Sequence, residues 1–235
     1  VIAVILAIFL IAPPLPDLPG GGPVDGSGEP NSTESIQKPN DTESSQQDWV
    51  QPANTSGETL TWENRPRIGN DTAEIKIHYF ADFRCPYCRS WSKNAYPKLY
   101  EEYIEPATIQ VVHREAPVLV RGDSDQYRGE SGEMALLSQC VWQTEPGKYR
   151  EWWKSALEST ADDVEMLKRE TEVEMICDRY QLKERIRQDM AEAKQFDIRG
   201  VPFFIIHDTV SNETMTIRGS QPWPVYRDVL ETMRE

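Results

Sequence analysis

An α/β domain carried on a long unstructured tether is what this 235-residue sequence predicts. Three observations lead there. Composition changes sharply near residue 62. Beyond that point, strand-like runs are separated by helical patterns. A Cys-x-x-Cys pair stands where the first of those runs gives way to a helix.

In chain order, Val1 to Ala12 (VIAVILAIFLIA) carries no polar side chain. As a helix it would reach roughly 18 Å, short of a ~30 Å hydrocarbon core. It reads as the end of an uncleaved membrane anchor or as the h-region of a signal peptide. Pro13 and Pro14 follow at once in place of an A-x-A-like cleavage site, which favours the anchor. A buried core helix is disfavoured because no folded segment adjoins it. Anchor and signal peptide alike export the chain. Residues 13–61 are rich in Pro, Gly, Ser, Thr, Asn and acid, with few large apolar side chains. Such a stretch buries too little surface to offset its ordering entropy, so it reads as a disordered linker with a span of roughly 40 Å.

The folded domain is expected over 62–235. Ala73–Phe80 (AEIKIHYF), Thr108–His113 (TIQVVH), Phe203–His207 (FFIIH) and Thr214–Ile217 (TMTI) are the strand-like runs. Leu182, Ile186, Met190 and Ala193 recur at helical spacing, as do Trp223, Tyr226, Val229, Leu230 and Met233. The order is therefore strand, helix, strand, a helical block over about 124–196, two strands, helix. Tyr149, Trp152 and Trp153 in the block read as core or helix–helix contact, with a hydrophobic surface for unfolded chains as the alternative.

Charge narrows the function. The chain has 25 Lys and Arg against 39 Asp and Glu, a net −14, and half of that excess lies in residues 1–60. No basic face is available for phosphates, so a nucleic-acid partner is not expected. Anionic lipid would not hold it by charge. Five of its seven Asn stand in N-x-S/T sequons: Asn31, Asn40, Asn54, Asn70 and Asn212. In an exported chain these are candidate glycosylation sites.

There are four cysteines, Cys85, Cys88, Cys140 and Cys177. Cys85-Pro86-Tyr87-Cys88 follows the first strand where a helix should start. Free N–H groups and the positive dipole end at that position stabilise a thiolate at Cys85. The thiolate is the attacking species in disulfide exchange. Cys88, one turn on, can reach the first sulfur but is shielded, which suits it to resolve a mixed disulfide. Arg84 is expected to add positive charge, and Pro86 suits a first turn because its missing N–H would be unpaired anyway. A zinc site needs four ligands, and Cys140, Cys177, His78, His113 and His207 are scattered with no second close pair, so no metal is expected.

The stretch Phe80-Ala81-Asp82-Phe83-Arg84-Cys85-Pro86-Tyr87-Cys88 resembles the active-site segment of the DsbA-like thiol–disulfide oxidoreductase family, of the DsbA and BdbD type. Pro97 matches a proline of that family, Arg199-Gly200-Val201-Pro202-Phe203-Phe204 resembles its cis-proline loop, and Gly219–Trp223 its turn into the last helix. The resemblance spans about 62–235 and implies a thioredoxin-like fold with a helical insertion. It implies a cis Pro202 beside Cys85, with Val201 pairing main chain to main chain with substrate, and Pro86 and Tyr87 also facing it. Members of the family often carry an acid six residues before the first Cys; here that position is Tyr79. In an exported chain the remaining Cys140 and Cys177 are expected to pair, and related insertions sometimes carry such a pair. A second redox relay is the alternative for those two.

The function expected is an extracytoplasmic oxidase that introduces disulfides into reduced or unfolded secreted proteins. It would need no cofactor beyond the Cys85–Cys88 disulfide, and it would be reoxidised by a membrane quinone-linked partner of the DsbB or VKOR kind. A reductase or isomerase on the same residues is the first alternative. The second, from another class, is a Cu(I) metallochaperone using the cysteine pair, although Met is absent from that stretch.

Overall fold

The computed structural model describes residues 49–52, 60–117, 129–159 and 176–234. The hydrophobic segment 1–12, most of the linker, the sequons at Asn31, Asn40 and Asn54, and residues 118–128 and 160–175 of the loop and insertion lie outside these. Six strands form one mixed sheet: β1 (Val50–Pro52), β2 (Arg67–Gly69), β3 (Ile75–Ala81), β4 (Ile109–Glu115), β5 (Phe203–Asp208) and β6 (Thr214–Arg218), in the order β1-β6-β5-β3-β4-β2. Only β3 and β4 run parallel. That pairing demands a crossover, supplied by α1 (Pro86–Asn94), α2 (Tyr96–Leu99) and a π-helical turn at Tyr100–Ile104. Pro97 lacks the N–H to continue α1, which ends at Ala95, and α2 starts there instead.

The helical block lies between β4 and β5, as the sequence pattern predicts. Its described helices are α3 (Glu130–Thr144), a 3₁₀ turn at Pro146–Lys148, α4 (Tyr149–Glu158) and α5 (Arg179–Gln195); α6 (Trp223–Thr232) closes the chain. The central strands are buried along nearly their whole length because helices cover both faces. On one face, Tyr79, Trp91, Tyr96, Trp153, Phe204 and Tyr226 form a continuous aromatic core. Tyr149, Trp152 and Trp153 are all buried in it, so they offer no surface to an unfolded chain.

Two parts of the stretch read as linker belong to the folded domain. Val50–Pro52 pairs with β6, and Leu60 is buried against Phe80, Ala116 and Ile205. Composition could not reveal this. β1 is an edge strand with Gln51 and Pro52 exposed, a place where Pro is tolerated and little apolar content is needed.

The opposite face holds a charged hub that helical periodicity hides. Asp189 on α5 is fully buried and accepts from Arg65 Nε at 2.6 Å, Arg114 Nη1 at 2.8 Å and the Glu115 backbone N–H at 3.0 Å. Glu192 pairs with Arg114 from the next turn. Burial of two guanidinium groups is tolerated only because each is paired. The hub ties α5 to β4 and to the segment entering β2.

Candidate active site

The first strand ends at Ala81 and the chain turns before α1. Asp82 makes that turn. It is buried, its carboxylate accepts from the Arg84 N–H at 2.8 Å and from Ser131 Oγ at 2.9 Å, and its carbonyl accepts from the Cys85 N–H at 3.0 Å. Cys85 is thereby held as the N-cap of α1, with Pro86 at the first helical position. Sequence reasoning passed over Asp82; an acid three residues ahead of a helix start was the available signal.

Both active-site cysteines are thiols in this structure. Their environments differ. The Cys85 sulfur accepts from the Cys88 S–H and from the backbone N–H groups of Cys88 and Tyr87, which outweigh its desolvation and bring its pKa down from 9.0 to about 6. Burial, and then the neighbouring Cys85, push the Cys88 thiol far up. At neutral pH one sulfur is mostly anionic and the other keeps its proton. Arg84, expected to add positive charge, is instead paired with Glu130 at 2.7 Å and is not among the causes of the Cys85 shift.

The loop before β5 completes the site. The Val201–Pro202 peptide is cis, and the Cys85 thiol donates to the Val201 carbonyl at 3.4 Å. The N–H of Val201 has no backbone partner among the described residues. A groove of about 470 Å³ runs beside this loop, lined by Asp197, Arg199, Gly200 to Phe203, Arg218 and Gly219. Pro86 and Tyr87 are exposed at the helix tip, Tyr87 to 66%. The structure thus brings Cys85, Cys88, Pro86, Tyr87, Val201 and Pro202 together. Cys140 and Cys177 are elsewhere, joined in a disulfide between α3 and the segment entering α5. Asn212 is exposed, while Asn70 is half-buried with its side-chain amide donating to the Ala107 carbonyl. The three histidines are buried, and desolvation lowers the pKa of each.

Tyr79, at the position where members of the resembled family often carry an acid, is fully buried on β3, stacked on Phe204 and 4.4 Å from Trp91 between ring centroids. No carboxylate replaces it at that position.

A stabilised thiolate capping a helix, with a shielded thiol one turn on and an extended backbone edge facing the first sulfur, is the working arrangement of a protein disulfide oxidoreductase. Comparison with known proteins agrees. A thioredoxin family model matches residues 61–223. A relative from Bacillus anthracis, described as a probable disulfide bond formation protein D, is 24% identical over 170 residues, covering 66% of this chain and 75% of the relative. The oxidised BdbD structure from Bacillus subtilis superposes with a TM-score of 0.54 at 18% identity, over 74% of this chain and 93% of that one. Wolbachia pipientis α-DsbA1 gives 0.60 at 15% identity, over 76% and 94%. The chain belongs to the thioredoxin family and has the DsbA-like form of its fold, with the helical insertion between the two halves of the sheet.

Proposed function

We propose that this protein works outside the cytoplasm as an oxidase, passing its Cys85–Cys88 disulfide to reduced, exported proteins. A substrate thiolate attacks the Cys85 sulfur and Cys88 leaves as a thiolate. A second substrate thiolate then attacks the substrate sulfur of the mixed disulfide and Cys85 leaves. The substrate's two sulfurs are oxidised, the enzyme's two are reduced, and no cofactor takes part. Val201 pairs with the extended substrate through its main chain, with Pro86 and Tyr87 flanking the sulfur.

The single observation that carries this reading is the split between the cysteines, Cys85 down to about 6 and Cys88 far up. A stabilised thiolate favours the dithiol enzyme and so makes its disulfide the stronger oxidant. The disulfide-forming role in the names of the Bacillus relatives supports the same direction. A Salmonella enterica neighbour, described as a periplasmic thioredoxin-like protein, supports the location. With segment 1–12 as a membrane anchor and 13–48 as its spacer, the domain would work near the membrane. There a quinone-linked partner of the DsbB or VKOR kind would reoxidise the dithiol. Glycans at the five sequons and a structural Cys140–Cys177 bridge fit an exported chain.

The test is the full chain, oxidised, mixed with a reduced model protein. Substrate thiols should disappear in step with enzyme disulfide, and Cys85→Ser should abolish the reaction. The Cys85–Cys88 reduction potential decides direction: near the ~−120 mV of DsbA it supports oxidation, and near the ~−270 mV of thioredoxin it supports reduction instead.

A further inference from the structure

We propose that the Tyr79 hydroxyl donates a hydrogen bond to the Cys88 sulfur as that sulfur leaves the active-site disulfide, which makes Tyr79 a catalytic residue of the exchange. The inference rests on the disulfide-exchange reading above and adds a component to it.

When a substrate thiolate attacks Cys85, the S–S bond breaks and its electron pair goes to Cys88. The attacking sulfur is oxidised and the Cys88 sulfur reduced. Negative charge therefore appears on an atom of a residue with 0% exposure, packed in the aromatic core beneath α1. An anion produced there without a donor meets the full cost of desolvation. The backbone N–H groups of Cys88 and Tyr87 face Cys85, and the Asp82 backbone N–H is the one main-chain donor that serves this sulfur, fewer than the two that serve Cys85.

Two tyrosine hydroxyls belong to the surroundings of Cys88. Tyr226 is committed: it donates to the Gly219 carbonyl at 3.2 Å and accepts from the Gln221 N–H at 3.1 Å. Tyr79 is not. Its hydroxyl is completely buried and lies within reach of the Cys88 sulfur, the one group it addresses, but in the dithiol state that contact falls short of a well-formed hydrogen bond and no other described group partners it. A buried donor left without a partner calls for an explanation. A sulfur that becomes charged during the reaction provides one, since donors of this kind tighten onto their acceptor only as charge develops. The ring is fixed for the task by stacking on Phe204 and by contact with Trp91, which sits one turn after Cys88 on α1. Burial and the neighbouring sulfur raise the phenol's own pKa, so it keeps its proton and acts as a donor only. Cys88 afterwards takes its proton from solvent, which received one from the substrate thiol.

The test is Tyr79→Phe in the full chain, which removes one oxygen and leaves the ring stack. Single-turnover reduction of the enzyme disulfide by a peptide thiol should slow about tenfold to a hundredfold, as expected for losing a hydrogen bond to a charge. Tyr96→Phe, which removes another buried hydroxyl from the same core, should stay within about twofold. Alkylation of Cys85 should be unaffected by Tyr79→Phe when Cys88 is already Ser, because no Cys88 anion then forms. A Tyr79→Phe rate within about twofold of wild type overturns the proposal. So does an equal slowing of Cys85 alkylation in the Cys88→Ser background, which would mean a merely structural effect. Failure of the wild-type chain to exchange disulfides at all would overturn the underlying reading instead.

Discussion

Replacing Cys88 by Ala should raise the pKa of Cys85. The Cys88 S–H is the largest of the contacts that lower it; the N–H groups of Cys88 and Tyr87 follow and survive the substitution. A hydrogen bond to a charged group is worth about 1.5–3 kcal/mol, or roughly one to two pKa units. From about 6 in the wild type, the Cys85 thiol should therefore move to about 7–8. Cys88→Ser, which keeps a donor at the same place, should move it much less. Thiolate absorbance in the ultraviolet, or the pH dependence of alkylation, reads the value directly. If Cys88→Ala left the pKa unchanged, helix-terminal N–H groups alone would hold the anion, and the Cys88 S–H would not be its main support.

The same thiolate makes the dithiol protein's stability depend on pH. Its pKa is depressed on folding, so the stabilisation is complete above about 9, fades as pH falls, and is gone below about 6. At pH 7 it amounts to at most about 1.4 kcal/mol, equivalent to about 30 mV of oxidising power, with solvent screening at the open side of the site reducing it. Denaturant melts of the oxidised and reduced forms across that range should converge toward acid; parallel curves would contradict the assignment. Changing Cys140 and Cys177 together to Ser opens a loop of sequence separation 37, which costs up to about 4 kcal/mol in the chain-entropy model. It should leave the Cys85 alkylation rate unchanged, and a change there would tie the bridge to the redox site. Asp189→Ala strands two buried arginines and should destabilise the fold by about 3–5 kcal/mol, read as a lower urea midpoint. A variant as stable as wild type would show that the hub is not structural.

Much of this architecture is legible in the primary structure, for local reasons. β3, β4 and β5 are dense in β-branched and aromatic residues because both faces are covered, and the Cys-Pro-Tyr-Cys segment announces its helix start through Pro86. What escapes a reading of the sequence depends on partners far along the chain. Val50–Pro52 and Arg67–Gly69 are strands only because Ile217 and Val112 offer them a ladder edge. Asp189 looks like a solvated residue of an amphipathic helix until Arg65, 124 positions away, is seen against it. Arg84 is basic and adjacent to Cys85, yet Glu130 across the fold claims it. The Tyr79 hydroxyl belongs to the same category: the residue at that position is visible in sequence, but whether its buried oxygen finds a hydrogen-bond partner is not.

The gap between the reactive sulfur and the Val201 carbonyl has an origin in the sheet. Phe80 on β3 and Phe203 on β5 face one another in the ladder. Five residues beyond the first stands Cys85, and two before the second stands Val201. The 3.4 Å contact between sulfur and carbonyl is therefore set by a hydrogen-bonded pair of central strands. On the proposed pairing of Val201 with an extended substrate, that fixed spacing would select for backbone geometry before any side chain is read.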